Sequence, residues 1–183
     1  MFIQTEDTPN PNALKFLPGS LVSERPVFIT IREDSSSPLA KKLFDLGAIE
    51  AVFLGADFIT ITKTDDADWS VIKPQVIMVI MDHFVAGLPV FENSFSAEVI
   101  EAPSDLTEIE KQIIEIIDTK VRPSVAMDGG DIVYQGFKDG VVMLELRGAC
   151  SGCPSSTITL KQGIESMLKY YIPEVISVEA ANS

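Results

Sequence analysis

The chain holds two cysteines, Cys150 and Cys153, and both fall in one stretch, Arg147-Gly148-Ala149-Cys150-Ser151-Gly152-Cys153-Pro154-Ser155-Ser156. What lies on either side fixes what this stretch can be. Val141 to Leu146 is an apolar run with β-branched residues and the length of a strand. After Pro154, Leu160, Ile164, Met167, Leu168 and Tyr171 recur at helical spacing, and proline is tolerated in a first helical turn, where its missing N–H has no partner to lose. The thiols are therefore expected on a strand-to-helix turn, with Cys153 at or near the helix N-terminus, where unpaired N–H groups and the helix dipole favour a thiolate. Gly148, Ala149, Ser151 and Gly152 add little bulk, so the backbone is expected to admit close approach by an inorganic guest or a second polypeptide.

Ligand number sharpens this expectation. Iron–sulfur clusters are usually held by four thiolates and structural zinc by four Cys or His ligands. This chain offers two cysteines and one histidine, and His83 is distant in sequence and on a different predicted element. One chain cannot close a four-thiolate site, whereas two chains presenting Cys150 and Cys153 across a two-fold axis can. A cluster so held takes half its ligands from each copy and is expected to be labile. The same C-x-x-C spacing serves thiol–disulfide exchange, and strand, C-x-x-C, helix is also the local layout of thioredoxin-like oxidoreductases. The motif alone leaves both readings open. Against the redox reading stand the scarcity of a βαβ pattern before the motif and the short chain after it. A packed structural disulfide is disfavoured, because so short a loop restrains little chain entropy.

Four stretches, one of them the cysteine stretch itself, carry a resemblance. Val121-Arg122-Pro123-Ser124-Val125-Ala126-Met127-Asp128-Gly129-Gly130-Asp131, then Gly148 to Thr157, then Leu160-Lys161-Gln162-Gly163-Ile164-Glu165, together resemble the C-terminal domain of the NifU-like (Nfu) iron–sulfur scaffold and carrier proteins. Met1 to Gly19, with Thr8-Pro9-Asn10-Pro11-Asn12 inside it, resembles the start of the Nfu N-terminal domain. The resemblance implies a small α/β domain that dimerises on binding a cluster. It implies a [4Fe-4S] cluster, or in some members a [2Fe-2S] one, bridged between two subunits through Cys150 and Cys153. The implied partners are apo iron–sulfur acceptor proteins and upstream cluster-assembly proteins. For the N-terminal domain, which has no cysteine and so no thiolate to give, it suggests client recognition or modulation of transfer.

The remaining sequence organises the chain around these stretches. Its 183 residues, 46% hydrophobic, suit one large or two small cored domains. The fold class expected is mixed α+β: two small domains, the C-terminal one a three-stranded sheet with two helices in the order α-β-β-α-β. Domain boundaries are expected at 1–88, with an acidic linker at 89–105 carrying four acidic and no basic residues, and 106–183. Short strands are expected at Phe2 to Thr5, Leu14 to Leu17 and Val27 to Ile31. A helix follows from Ser37-Pro38 and stops at Gly47. Ile49 to Leu54 and Asp57 to Thr62 read as a hairpin around Gly55-Ala56, and a helix runs from near Lys73 to Gly87. The second domain opens on a capping-box pattern, Asp105-Leu106-Thr107-Glu108, with Arg122-Pro123 near its first helix's end. Asp139-Gly140 makes a hairpin between Ile132 to Phe137 and Val141 to Leu146, and Glu174 to Glu179 closes the sheet.

A formal charge of −13, spread along the chain without a basic patch, argues against nucleic acid and anionic membrane surfaces as partners. The opening residues lack a secretory pattern, and the longest apolar run, Val76 to Met81, is too short to span a bilayer. Two cysteines without a disulfide framework suit a reducing compartment: bacterial cytoplasm or, if a transit segment was removed, the mitochondrial matrix. His83 reads as a structural histidine, Trp69 and the phenylalanines as core, and Asn10 and Asn12 as turn formers. Asp128 and Asp131 read as turn chemistry around Gly129-Gly130 rather than as a hard-metal site. No phosphate loop, Ser/His/Asp set or paired catalytic carboxylates stands out, so the expectation is a carrier and not an enzyme.

Overall fold

Short β-branched and aromatic runs in the first half pair into one antiparallel sheet. In the computed structural model, which describes residues 2–33, 35–92, 106–151 and 154–181, with 154–156 described in their backbone alone, the chain divides into units Met1–Ser96 and Ala97–Ser183. In the first unit, β1 (Gln4–Asp7), β2 (Ala13–Leu17), β3 (Val27–Ile29), β4 (Ile49–Leu54) and β5 (Ile59–Lys63) form a sheet of order β1-β2-β5-β4-β3. Helices α1 (Pro38–Phe44) and α2 (Trp69–Val85) complete the unit. Phe16, Leu39, Leu43, Leu54, Ile59, Ile61 and Ile80 are fully buried in its core. Because side chains alternate across a strand, Phe53 points to the face opposite Val52 and Leu54. There its ring lies 6.4 Å from Phe28 and 5.7 Å from Phe58, with the Lys15 ammonium 4.9 Å over Phe58. Gly55 enters this turn because a Cβ on it would sit 2.6 Å from the Phe58 ring.

The Thr8 to Asn12 loop is held by its own side chains. Asn10 Oδ1 accepts from the Asn12 N–H, and Asn12 in turn donates to Asp65 and accepts from Lys63 Nζ, while Trp69 Nε1 donates to the Pro11 carbonyl. Both asparagines are turn formers, as their neighbours predict. Helix α2 starts four residues before Lys73, because Asp68 caps it by accepting from the Ser70 N–H. Pro74 lies inside it and forgoes one bond, to the Ser70 carbonyl. His83 is fully buried; its Nε2–H donates to the Pro89 carbonyl at 3.1 Å. Val90 and Phe91 pack on the same core, and Glu92 N–H donates to Ser36 O. Residues 89–92 of the expected linker are thus laid against this unit, and 93–105 fall outside the described residues.

The second unit begins with α3 (Glu108–Ile116), capped by Thr107 in a reciprocal box with Glu110. The box is shifted two residues from the sequence expectation, because a hydroxyl at 107 and a carboxylate at 110 satisfy each other's backbone N–H groups. Arg122-Pro123 does not end the helical segment. A proline in a straight helix would clash with the carbonyl four residues back; here the chain widens into a π-helical turn (Ile117–Val121), Arg122 N–H reaches Ile117 O, and the helix resumes as α4 (Arg122–Met127). Then come β6 (Gly130–Lys138), β7 (Val141–Gly148), α5 (Pro154–Tyr171) and β8 (Ser177–Ala180). Asp139 and Gly140 turn the β6–β7 hairpin with φ of 51° and 79°, the pair of positive values a type I′ turn demands. Burial alternates strictly along β7. Strand β8 runs parallel to β7, in the order β6-β7-β8, with α5 as the crossover. The fold class is the mixed one expected, α-β-β-α-β in this unit. Tyr171, expected on the apolar face of α5, is instead 48% exposed, and Ile172 fills the core.

Candidate functional site

Cys150 lies two residues beyond the end of β7, after Ala149. Gly148, at φ 67°, takes the left-handed conformation that turns the chain out of the strand, and Ser151 N–H donates back to its carbonyl. On the neighbouring strand Gly148 stands opposite Gly130. Ala149 N–H donates to Gly129 O at 3.2 Å, and Thr157 Oγ1, in the second turn of α5, donates to Cys150 O at 3.4 Å. The turn is therefore tied to the β6 entry on one side and to the helix on the other.

The cysteine side chain turns inward. Cys150 is 6% exposed and belongs to the same apolar cluster as Ile132, Leu146, Ile164 and Leu168. Its Sγ lies against Gly130, where a Cβ would come within 2.6 Å of the sulfur and 2.9 Å of Arg147 O. The Gly129-Gly130 pair thus does more than make a turn: Gly130 leaves the space the thiol occupies. The sequence signal was the pair itself, whose second member meets the cysteine loop only once the register of β6 on β7 is known. Ala149 is buried as well, so this small residue packs into the unit instead of keeping the loop open to a guest.

Asp128 and Asp131 part company. Asp128 is exposed, whereas Asp131 is buried and forms a two-pronged pair with Arg122, Nε to Oδ1 at 2.9 Å and Nη2 to Oδ2 at 3.0 Å. Its role is to fasten α4 to the strand entry beside Gly130, a role beyond turn chemistry that a nine-residue separation in sequence does not reveal. Hydrogen bonding to Asp131 raises the Arg122 guanidinium's already high pKa. Nearby, Tyr134 OH donates to Glu110 at 3.0 Å; burial, then that bond, push the phenol well above its ordinary value.

Helix α5 begins at Pro154, so the position of Cys153 in sequence immediately precedes its first residue; Cys153 itself lies outside the described residues. Among the described residues, no group of three or more His, Cys, Asp or Glu side chains could hold a metal ion. His83 is buried in the first unit, away from any such group. Also among the described residues, no helix is long and apolar enough to cross a membrane.

Fold and site define a class: a cysteine-free antiparallel unit joined in sequence to an α-β-β-α-β unit with a cysteine loop between strand and crossover helix. Comparison with known proteins makes this specific. Residues 3–87 match the family described as scaffold protein Nfu/NifU N terminal, and residues 113–179 match the NifU-like domain. The chain is 50% identical over 183 residues to a human protein named NFU1 iron-sulfur cluster scaffold homolog, mitochondrial, covering 98% of this chain and 71% of that one. It is 51% identical over 182 residues to the Drosophila ananassae protein of the same name, covering 98% of this chain and 64% of that one. The chain thus spans somewhat under two thirds of the length of that fly relative. A solution structure of a NifU-like protein from Saccharomyces cerevisiae is 29% identical and covers 51% of this chain and 86% of that one, with a TM-score of 0.46. The chain belongs to the Nfu/NifU scaffold protein family.

Proposed function

We propose that this chain is a carrier of iron–sulfur clusters, which it binds between two copies through Cys150 and Cys153 and passes to apo-proteins. The observation that carries the reading is a shortage of ligands. The chain has two thiols, Cys150 just after β7 and Cys153 at the sequence position before α5, and the described residues offer no other metal-holding group. Its relatives are named as iron–sulfur cluster scaffolds, and soft thiolates are the donors such clusters take.

In this reading the cluster is cargo, a [4Fe-4S] or [2Fe-2S] unit. Cys150 and Cys153 of each copy hold it, and incoming acceptor thiolates replace them by ligand exchange. An acceptor with a full set of four ligands holds the cluster more firmly than two half-sets do, which gives transfer its direction. Gly130 leaves room for Cys150 at the turn, and the Arg122–Asp131 pair keeps the strand entry beside it in place. The working organisation is an N-terminal unit over 1–88, an acidic linker over 89–105 and the cluster unit over 106–183. The chain acts by binding and release, not by turnover of a substrate. Acceptor proteins and an upstream cluster source are its partners, and the word mitochondrial in the relatives' names favours the organellar matrix as its compartment.

Anaerobic reconstitution with iron and sulfide, followed by size-exclusion chromatography and iron and sulfide analysis, tests this. The expected product is a brown dimer with about one four-iron cluster per two chains, lost in Cys150→Ser and in Cys153→Ser. A strictly monomeric iron-loaded chain, or a double serine variant that keeps its colour, overturns the reading. A colourless chain that cycles electrons through the two thiols would be a thiol–disulfide oxidoreductase instead.

A further inference from the structure

In this fold the Cys150 thiol is out of reach of a cluster shared with a second chain. Its Sγ is seated inside the second unit, against Gly130 and among Ile132, Leu146, Ile164 and Leu168, and the residue is 6% exposed. Thiolates bond a metal such as zinc at about 2.3 Å, and close-packed interiors hold few voids larger than a water molecule. An iron–sulfur unit therefore does not come to this sulfur; the sulfur has to come to it. Hydrogen bonds on both sides keep the turn as it is: Ala149 N–H donates to Gly129 O at 3.2 Å, and Thr157 Oγ1 to Cys150 O at 3.4 Å. The first joins backbone to backbone. The second depends on one hydroxyl, on a half-buried residue of α5, and so can be removed without changing the main chain. Gly148, already at φ 67°, is a pivot beneath the turn with no Cβ to resist further rotation.

We infer that Cys150 is a retractable ligand. It has two positions, the inward seat seen here and an outward one that meets iron, and Thr157 is the positioning residue that favours the seat. The inference rests on the proposed carrier function and deepens it. A free cysteine packs as a small apolar side chain, so its return to the seat is favourable and competes with iron for the sulfur. Uptake has to overcome that competition, and surrender is helped by it. As an acceptor takes the cargo, one acceptor sulfur arrives at an iron for each Cys150 sulfur that leaves. The proton that the acceptor thiol sheds is matched by the one that Cys150 takes up, and no electron is transferred. Transfer thus has a second source of direction besides the acceptor's fuller ligand set: two sulfurs, one in each copy, that are drawn back into their own cores.

The test is thiol labelling of the full chain carrying Cys153→Ser, which leaves Cys150 as its sole cysteine, with dithiobis(nitrobenzoate) at fixed pH, native and in guanidinium. Labelling of the native chain is expected to be slower than that of the unfolded chain by roughly a hundredfold or more. Thr157→Val, which removes the hydroxyl and keeps the branched shape, is expected to speed native labelling by about threefold to tenfold, and Thr157→Ser to restore it. Amide exchange across β6 and β7 should be unmoved, since the Thr157 bond acts at the turn, whereas a loss of overall stability would act on both strands. In the chain with both cysteines, Thr157→Val should raise the initial rate of cluster uptake from iron and sulfide in the same proportion. The inference fails if Cys150 labels at the unfolded rate, if Thr157→Val leaves labelling unchanged or leaves unchanged the uptake of a chain that does load, if Thr157→Ser does not restore the rate, or if β6 and β7 exchange faster in step. A chain that labels as described but takes up no cluster would overturn the carrier reading and leave the two-position thiol standing. One that takes up cluster while Cys150 labels at the unfolded rate would do the reverse.

Discussion

The two units place their unusual side chains in opposite ways. In the first, the buried polar groups serve the scaffold: Asn10 shapes a loop, Lys63 ties that loop down, and His83 holds the residues that leave α2. In the second, the group proposed to do the chemistry is part of the core, since Cys150 packs with Ile132, Leu146 and Leu168 against Gly130. The lesson is that Cys150, one of the two thiols proposed to do the chemistry, is coupled to the stability of the second unit, while the first unit's core contains neither of them. The chain supplies a probe for each: Trp69, the one tryptophan, reports the first unit, and the two thiols, both in the second, report the other.

The sharpest way to break this comparison is Phe16→Ala. Phe16 is fully buried, with its ring 6.3 Å from Trp69, and truncation is expected to cost about 3–5 kcal/mol. Denaturant unfolding followed by Trp69 fluorescence should shift by that amount, while thiol reactivity in the native chain stays as it was. Next comes Gly130→Ala, whose new methyl would meet Cys150 Sγ at 2.6 Å and a backbone carbonyl at 2.9 Å. Overpacking of this kind costs roughly 1–3 kcal/mol. Here the pattern should invert, with faster labelling at Cys150, lower cluster loading and an unmoved Trp69 transition. Thr107→Ala removes one half of the capping box and should cost about 1 kcal/mol, read in amide exchange of α3 and not in Trp69 fluorescence. The gentlest effect is one of pH. Burial holds the His83 pKa below its ordinary 6.5, so the folded chain keeps it neutral where the unfolded chain takes up a proton. Stability of the first unit should therefore be whole above pH 6.5 and decline as pH falls through the lowered value. His83→Gln should flatten that decline.

Much of this architecture is legible where local chemistry decides it. The Asp139-Gly140 turn, the strand over Val141 to Leu146 and the helix after Pro154 all follow from residue pattern and turn residues. What sequence missed was decided at a distance or by competition between neighbours. Asp68 outranks Lys73 as the start of α2 because it has an N–H to accept from two residues on. Arg122-Pro123, expected near the end of the first helix, is followed by further helix to Met127, because the π-helical turn before it gives Pro123 a first-turn position in α4. Glu174 to Ile176 is the connection into β8 and not strand, and β8 begins at Ser177. The contact of Cys150 with Gly130 and the Arg122–Asp131 pair both depend on cross-element register, which periodicity along a single segment does not contain.

Consider what the 6% exposure of Cys150 means for an emptied molecule. A thiol enclosed by its own fold reacts with peroxide or a stray metal in proportion to the fraction of time that local opening exposes it, so burial lowers its rate of loss at any given concentration of the attacker. For a carrier of the kind proposed, which would stand empty between deliveries, such burial would keep one of the two sulfurs fit for the next round.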